Sequence, residues 1–529
     1  MKIIVALISA LFFFSAGESK AQFSRHIVKF KDKNGTPYTL ANPQAYLSAK
    51  SILRRTKQGI AIDSTDLPVT PRYLDSIRSV PNVTVLNVSK WLNQVLVQTS
   101  SAAALAKIQS FPFVQQTAPI GTRLGPVQLR SDISARKLEI TFNTNQQLQP
   151  EQTGQTLINY GNATAQVRIH NGDFLHNWGF TGENMTVAMM DAGFFGYNTN
   201  TGIDSLLINN QVKGTWDFVM NHPNVEEDHP HGFYCLSIMG ANKPGQMVGT
   251  APKANYYLYR TEDAATEYPV EEQNWVAAAE LADSLGVDLF STSLGYLTFD
   301  NAAFNYTYAA RNGNTAIMTI GGDLAAKKGI IVCNSAGNNG ATATDGKFIA
   351  VPADGDSIMA VGACNTSKVI AGFSAWGPNS AGLIKPNFTS VGVGTSFVGL
   401  SGTPGSGNGT SFSCPNIAGL ITCLLQAFYE TGNMDITNAV QESADKFSAP
   451  DGRFGYGIPD MKKAFVLLQK KKYSAATILN NGCLVNISQR IKTNSAMQLE
   501  LERQGPGDNN FTVIRRFNGV SANFLLSEY

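Results

Sequence analysis

Charged residues are scarce in this chain of 529 amino acids, and neither sign dominates. Aspartate, glutamate, lysine and arginine together make up 15% of the residues, and the formal net charge is only +2. No block of lysine and arginine interrupts this balance. The sequence therefore gives no support for a nucleic-acid partner or for binding to a membrane surface.

Long apolar runs are also few. The clearest run extends from Ile3 to Phe14, and it is too short to span a bilayer. Lys2 precedes it, and the small residues Ser19 and Ala21 follow at the positions that a signal peptidase reads. This pattern is typical of a cleaved signal peptide at 1–21, with a buried first strand as the alternative. We therefore expect an exported protein, secreted or at the cell surface, with no membrane span.

The remaining chain divides by its patterning into an N-terminal unit, a linker, a large central unit and a short C-terminal segment. With 43% hydrophobic residues at this length, it can form more than one domain. Residues 22–117 follow the order β-α-β-β-α-β with one extra helix, which is typical of a ferredoxin-like α+β fold. Their predicted strands are 26–31, 83–88, 92–99 and 113–117, and their predicted helices are 43–59, 71–80 and 101–110.

Residues 118–165 are polar, rich in glutamine and asparagine and without a period, which predicts a linker. Residues 166–468 alternate strand and helix patterns, which predicts an α/β domain with a mostly parallel sheet. Residues 469–529 alternate apolar and polar side chains, which predicts a short β-rich segment. An ordinary β-sandwich needs about 100 residues, so we expect a small or incomplete domain there.

A serine stands where a glycine-rich loop becomes a helix. Ser411 follows four glycines spread over 402–409, and an apolar helical repeat runs from Ile417 to Phe428. We therefore predict Ser411 at the N-terminus of a buried helix, with Pro415 in the first turn, where a missing N–H costs nothing. The free N–H groups of such an end suit a developing oxyanion. Taken alone, Ser411 is interpreted more simply as a helix cap.

A nucleophilic serine needs a base, and the base needs an orienting group. His231 opens an apolar stretch, and Asp191 ends the strand pattern that begins at Val187. The tips of strands in open α/β sheets are where sites are built. Asp191, His231 and Ser411 are therefore candidates for one catalytic group, in that order along the chain.

These segments resemble, in the same order, the D-[ST]-G, H-G-T-x-V-A-G and G-T-S-M-A-x-P motifs of the subtilisin-like serine peptidases, or subtilases. The third match is close, whereas Ala192 and Phe233 depart from the first two without removing a reacting atom. The A-G-N segment ending at Asn338 and the S-L-G segment at 293–295 resemble two further family segments. The resemblance extends over 166–468.

The resemblance implies a three-layer subtilisin-like α/β domain that hydrolyses protein or peptide substrates. Ser411 would be the nucleophile, His231 the base, Asp191 the orienting acid and Asn338 an oxyanion donor. The residues implied to flank the substrate are Ser293, Leu294, Gly295, Ser335, Ala336 and Gly337. No cofactor is required, and although calcium is common in the family, no calcium ligands can be mapped here.

The resemblance also implies that residues 22–117 are an inhibitory prodomain. Such a domain places its last strand in the active cleft and is removed by the enzyme itself, here within the 118–165 linker. An unrelated N-terminal domain is the alternative.

Two other functions compete with catalysis by a serine. Acidic and histidine residues crowd between Glu226 and His231 and could bind a metal ion. No H-E-x-x-H motif accompanies them, so a solvated acidic loop is the better interpretation. The second alternative is an exported binding protein that retains the fold without catalysis. A reagent directed at active serines distinguishes these hypotheses.

The six cysteines all lie from position 235 onward: Cys235, Cys333, Cys364, Cys414, Cys423 and Cys483. Export permits disulfides, and six cysteines allow 15 pairings. Cys235 lies one helical turn after His231, and Cys414 follows Ser411 on a neighbouring predicted helix, so a bridge between them is geometrically feasible. The resemblance to thiol-bearing subtilases, which have a cysteine at this step, favours a free, buried Cys235.

Overall fold

The structure is a computed structural model. It describes residues 23–122, 141–142, 157–226 and 229–472, and four short strands between 477 and 518. The predicted signal peptide and most of the predicted linker lie outside the described residues, as does Cys483.

The strands are β1 (Arg25–Phe30), β2 (Thr84–Ser89), β3 (Gln94–Gln98), β4 (Val114–Gly121), β5 (Thr141–Phe142), β6 (Thr186–Asp191), β7 (Val212–Asp217), β8 (Asn242–Lys243), β9 (Met247–Val248), β10 (Asn255–Arg260), β11 (Leu289–Thr292), β12 (Ile331–Ser335), β13 (Ile358–Cys364), β14 (Phe388–Val391), β15 (Thr395–Val398), β16 (Pro404–Asn408), β17 (Thr477–Leu479), β18 (Leu484–Asn486), β19 (Gln498–Arg503) and β20 (Thr512–Asn518). The helices are α1 (Ala49–Gln58), α2 (Pro71–Arg78), α3 (Ala102–Gln109), α4 (Thr164–Arg168), α5 (Gly172–Asn177), α6 (Ser205–Ile208), α7 (His231–Gly240), α8 (Val270–Leu285), α9 (Ile317–Lys327), α10 (Thr410–Ala427), α11 (Asn433–Ser443) and α12 (Met461–Lys472).

The N-terminal unit is an antiparallel sheet in the order β2-β3-β1-β4 with helices α1 to α3. This is the predicted ferredoxin-like arrangement with one extra helix. Strand β4 runs on to Gly121, beyond the predicted end at 117, because it pairs with β1 as far as Arg25. The helix predicted over 43–59 is shorter, since the Ser48 side chain accepts a hydrogen bond from the Ser51 N–H and starts α1 at Ala49.

The central unit has seven parallel strands in the order β14-β13-β12-β11-β6-β10-β7. Successive side chains of a strand point to opposite faces. Val187 and Met189 of β6 accordingly pack in a core with α7 and α10, whereas Ala188 and Met190 pack with α8 and α9. Helices therefore cover both faces of the sheet, which confirms the predicted three-layer α/β fold.

Helix α8 begins at Val270, earlier than the apolar repeat predicted from Trp275. The sequence pattern missed this first part because Gln273 and Asn274 are polar yet buried. Their amides bond to Gln94 and Asn87 of the N-terminal sheet. Because these residues are buried by hydrogen bonds to another domain and not in an apolar core, hydrophobic periodicity does not detect the start of this helix.

The C-terminal segment contains two antiparallel strand pairs, β17 with β18 and β19 with β20. These agree with the predicted β-rich character of 469–529. Among the residues that the structure describes, no helix is both long enough and apolar enough to cross a membrane.

Candidate active site

Asp191 and His231 are in direct contact. Asp191 is the last residue of β6 and His231 is the first residue of α7. Nδ1 of His231 lies 2.7 Å from Oδ1 of Asp191, and both side chains are almost fully buried. A Cβ on Gly232 would lie only 2.5 Å from the Gly193 carbonyl oxygen, so glycine is required for this helix to approach the strand.

The carboxylate controls the charge of the imidazole. Burial alone would lower the pKa of His231, but Asp191 raises that pKa well above its usual value. At the neighbouring His229, burial outweighs the charge of Asp191 and lowers the pKa to about 4. His231 is therefore the histidine that can accept a proton here and hold it.

Ser411 is the second residue of α10 and is half-buried. The predicted helix N-terminus is confirmed, but the prediction for Pro415 is wrong, because Pro415 is the sixth helical residue and not part of the first turn. A proline there has no N–H to donate to the carbonyl four residues earlier, which is that of Ser411. The Ser293 hydroxyl donates to this carbonyl at 2.8 Å and the Cys235 thiol at 3.4 Å.

Asn338 lies beside the serine with its amide orientation fixed. Its Oδ1 accepts hydrogen bonds from the Thr410 N–H and the Thr410 hydroxyl, both at 2.8 Å. A Cβ built on Gly409 would lie 3.6 Å from Asn338 Nδ2 and 3.8 Å from Ser411 Oγ. Because the oxygen is already used, the NH₂ group of Asn338 is left to face the space beside Ser411.

A cavity of about 480 Å³ opens next to Ser411. Five of the six predicted substrate-binding residues line it: Ser293, Leu294, Gly295, Ser335 and Gly337. Ala336 does not, because it is fully buried in a small cluster with Ile349 and Ala375. Further lining residues that the sequence analysis did not single out include Glu262, Glu267, Phe299, Asp300 and Ala350.

One contact expected of a serine–histidine pair is not formed. Ser411 and His231 make no hydrogen bond in the described structure, although the His231 ring stacks on Phe412 with the ring centres 6.0 Å apart. Such hydrogen bonds commonly tighten only when substrate is bound. The departures from the family motifs have a packing explanation, since Phe233 is fully buried in the core and Ala192 packs with Leu294.

Two groups of potential metal ligands occur in the described residues. One is Asp191, His231 and Cys235; the other is Glu262, Glu267 and Glu271. The first group is a mixture of carboxylate, imidazole and thiol, which does not suit calcium, a cation that takes oxygen ligands. Glu226 and His229 belong to neither group, and Glu227 and Asp228 lie outside the described residues.

The five described cysteines are all free and buried. The bridge between Cys235 and Cys414 is therefore not formed, and the expectation of a free, buried Cys235 is confirmed. Its sulfur lies 3.9 Å from Nδ1 of His231.

The fold and this site together define an α/β protein built to present a serine beside a histidine–aspartate pair. A subtilase family model matches residues 182–457, and a model of the peptidase S8 propeptide domain of Bacteroidota matches residues 25–135. The chain belongs to the subtilase family.

Individual subtilisins are also similar to this chain. Subtilisin E of Bacillus subtilis is 29% identical over 273 residues, which cover 51% of this chain and 63% of subtilisin E. Subtilisin Savinase of Lederbergia lenta is 25% identical over 290 residues, which cover 55% of this chain and 93% of Savinase. The chain thus spans slightly less than two thirds of the length of subtilisin E.

Among solved structures, fervidolysin from Fervidobacterium pennivorans, a keratinolytic enzyme related to subtilisin, has a similar fold. The TM-score is 0.57 at 17% identity, over 84% of this chain and 62% of fervidolysin.

Proposed function

We propose that this protein is an exported serine endopeptidase that cleaves proteins or peptides and needs no cofactor. The observation that carries the proposal is the buried contact between Asp191 and His231, 2.7 Å long, beside the helix end that holds Ser411. A carboxylate that holds one nitrogen of an imidazole leaves the other nitrogen free to act as a base.

Ser411 Oγ attacks the peptide carbonyl while Nε2 of His231 takes its proton. His231 then gives this proton to the leaving amine, and Asp191 stabilises the imidazolium between these steps. The tautomer is set by geometry, because Nδ1 is engaged by Asp191.

The oxyanion is held by the Asn338 NH₂ group and the Ser411 backbone N–H. The latter is one of the N–H groups at a helix start that have no partner within the helix. The substrate backbone lies between 293–295 and 335–337, a placement supported by Ser293, Leu294, Gly295, Ser335 and Gly337, which line the cavity.

Residues 22–117 act as an inhibitory prodomain that the enzyme removes by cleavage within 118–165, after export directed by 1–21. The contacts of the N-terminal sheet support this role. Gly121, at the end of β4, lies against Tyr268 and Val270 at the start of α8, and Ile120 packs in the same apolar cluster. The chain of the N-terminal unit thus runs toward Glu267, which lines the cavity.

A fluorophosphonate probe tests the assignment of the nucleophile. The protein should be labelled and should degrade an unfolded protein substrate, and Ser411→Ala should abolish both and keep the N-terminal unit attached. The loss in kcat should approach about 10⁶-fold, the size known for the same change in subtilisin, a member of this family.

Ser413→Ala is the matched control, because Ser413 lies on the same helix but its hydroxyl is buried and donates to the Thr410 carbonyl. It should still be labelled. Labelling or self-processing of Ser411→Ala in a protease-free host would overturn the proposal. An unlabelled wild type would favour the silent binding protein, and inactivation by a chelator alone would favour the metal hypothesis.

A further inference from the structure

Three charged side chains lie in a row at the edge of the sheet that carries the active site. Asp191, Arg260 and Asp217 are the last residues of β6, β10 and β7. These strands are neighbours in that order, and Arg260 is in register with Asp191 on one side and with Asp217 on the other. Neighbouring strands lie about 4.8 Å apart, so the three residues are adjacent.

Asp191 and Arg260 also lie on the same face of the sheet. Successive side chains of a strand alternate between faces, so a residue shares its face with the residue two positions earlier. Met189 of β6 and Leu258 of β10 stand two positions before Asp191 and Arg260, and both pack in the core with α7 and α10. Arg260 therefore faces the helix that begins with His231.

The Arg260 guanidinium connects two of these strand ends. Its Nη1 donates to Oδ2 of Asp217 at 2.6 Å, and its Nε donates to the Ala192 carbonyl at 3.2 Å. Arg260 is 1% exposed and Asp217 is fully buried. Oδ1 of Asp217 accepts from the N–H groups of Val219 and Met220, which fixes the carboxylate in turn. A buried, charge-assisted bond to a planar guanidinium has a defined direction, so Arg260 is held in place.

The residue that Arg260 holds is the one that orients the catalytic carboxylate. The Ala192 N–H donates to Oδ1 of Asp191 at 2.8 Å, and this oxygen lies 2.7 Å from Nδ1 of His231. Alanine has no side-chain donor, so Ala192 supports the carboxylate only through its backbone. The Thr261 N–H donates to the Asp191 carbonyl at 3.1 Å. Arg260 and Thr261 thus hold the two successive carbonyls of the segment that carries Asp191.

The pair of Arg260 and Asp217 lies outside the substrate cavity. In the described structure, neither residue lines the cavity beside Ser411. His222 also faces Asp217, with its Nε2 at 4.0 Å from Oδ2. A change at Arg260 should therefore alter the chemical step and not the binding of substrate.

We propose that Arg260, held by Asp217, is a positioning residue that keeps the Asp191 carboxylate oriented toward His231. This inference rests on the proposed peptidase function and adds a residue to its site. Through the Ala192 carbonyl, the guanidinium fixes the backbone N–H that binds Oδ1 of Asp191. Without the guanidinium this segment loosens, and the carboxylate spends less time in contact with the imidazole.

The test compares Arg260→Met and Arg260→Lys with the wild type as matured enzymes. The value of kcat is measured per active site, counted by fluorophosphonate labelling. Methionine has no donor, and lysine keeps the positive charge but lacks the planar fork that reaches two acceptors. Both variants should lower kcat, methionine by roughly 10- to 100-fold and lysine by less, with little change in KM.

The pH profile distinguishes positioning from a general loss of structure. Asp191 raises the pKa of His231 against the effect of burial, and Cys235 and His229 also lie near the imidazole. A carboxylate that is oriented less well raises this pKa less. The acidic midpoint of kcat/KM should therefore move to lower pH in Arg260→Met, in the same direction as in Asp191→Asn but less far.

Arg311→Met is the matched control. Arg311 is 2% exposed, and it donates to the carbonyls of Phe348 and Ile349 and not to the segment of Asp191. Its loss should lower the melting temperature and leave the pH midpoint unchanged. In Arg260→Met, a fall in kcat without a shift of the midpoint, or a rise in KM alone, would overturn the proposal in favour of a purely structural role.

Arg260→Lys decides by the same measurements if Arg260→Met does not fold. A lysine variant with the kcat and the midpoint of the wild type would overturn the proposal, because lysine cannot hold Asp217 and Ala192 together as the guanidinium does. That result, in an enzyme that fluorophosphonate labels, would leave the proposed function standing. A wild type that is not labelled would overturn the proposed function and this inference with it.

Discussion

The candidate active site and the contact between the N-terminal unit and α8 both bury ionisable groups, but they do so in opposite ways. In the site, one carboxylate meets one imidazole, and the two side chains that donate to the Ser411 carbonyl, Ser293 and Cys235, are neutral. In the contact, two arginines and several lysines meet several carboxylates. The difference shows where charge serves chemistry and where it serves the attachment of one domain to another.

The charged contact is formed by the extra helix α1. Arg54 and Arg55 are both at most 3% exposed and both pair with Asp283 on α8. Arg55 also meets Asp66 at 2.7 Å, and Lys328 meets Asp66 at 2.9 Å. Although burial raises the pKa of Asp283, the two arginines hold it below its usual value, so this carboxylate is charged at neutral pH.

A second part of the contact lies further along α8. Glu280 accepts hydrogen bonds from the Ser89 hydroxyl and from the N–H groups of Lys90 and Trp91. The N-terminal unit is therefore held both near the cavity, by Gly121 against Tyr268, and at the far end of α8, by α1. We infer that the extra helix gives the N-terminal unit a second point of attachment, remote from the cavity beside Ser411.

Asp283→Asn is expected to have the largest effect and would break the charged contact. It leaves two buried arginines without their shared carboxylate, and removing one partner of a buried pair costs about 3–5 kcal/mol. The free energy of unfolding of the Ser411→Ala precursor, measured in urea, should fall by this amount. The Ser411→Ala background prevents self-processing during the measurement.

Asp75→Asn is the control, because Asp75 pairs with Arg78 at the surface with both side chains more than half exposed. An exposed pair of this kind contributes about 0–1 kcal/mol. Equal effects of the two substitutions would show that the network on α8 does not hold the domains together.

Asn338→Ala tests an uncharged group of the active site, the Asn338 amide. Removing an oxyanion donor should lower kcat by about 10²–10³ with little change in KM, a magnitude that was itself established in subtilisin. Because the Asn338 oxygen also accepts two bonds from Thr410, alanine could act by loosening the start of α10. Asn338→Asp keeps an acceptor and removes the NH₂ donor, so an equally large loss there assigns the effect to the donor. A loss within assay error would mean that another donor serves.

The protonation of His231, the one imidazole paired with a carboxylate in the site, predicts how kcat/KM depends on pH. His231 accepts a proton only when neutral, so kcat/KM should fall on acidification. The sequence alone places the midpoint near 6.5; Asp191 raises the pKa of His231, so the structure moves the midpoint to higher pH. Asp191→Asn removes the cause and should move the midpoint down, because burial then prevails. A flat profile between about pH 5 and pH 8 contradicts a histidine base.

The two regions also differ in how far the sequence could predict them. Asp191, His231 and Ser411 each lie within a short contiguous motif at the end of a strand or the start of a helix, so local patterns place them together. Arg54 and Asp283 are 229 residues apart, and no local pattern relates them.

Two further predictions failed, on the start of α8 and on the position of Pro415, because contacts from distant segments determine the local structure there. The start of α8 was hidden because Gln273 and Asn274 are buried by amide pairs across a domain contact. Pro415 was misplaced because a proline deep in a helix is expected only where other donors serve the freed carbonyl, and Ser293 and Cys235 come from distant segments.

The smallest expected effect concerns this freed carbonyl. Cys235→Val removes a weak S–H donor at 3.4 Å from the Ser411 oxygen and leaves the stronger Ser293 hydroxyl at 2.8 Å. Activity should therefore change by no more than about threefold. A mercurial should nevertheless inhibit the wild type strongly, because a metal atom on this sulfur, 3.9 Å from Nδ1, would displace His231 from Asp191. Cys235→Val should resist the reagent, whereas Cys423→Val, which alters a buried thiol next to His176, should remain sensitive. If the mercurial inhibits Cys235→Val as strongly as the wild type, the Cys235 thiol is not the site at which the reagent acts. The inference that a metal atom on this sulfur displaces His231 from Asp191 would then be wrong.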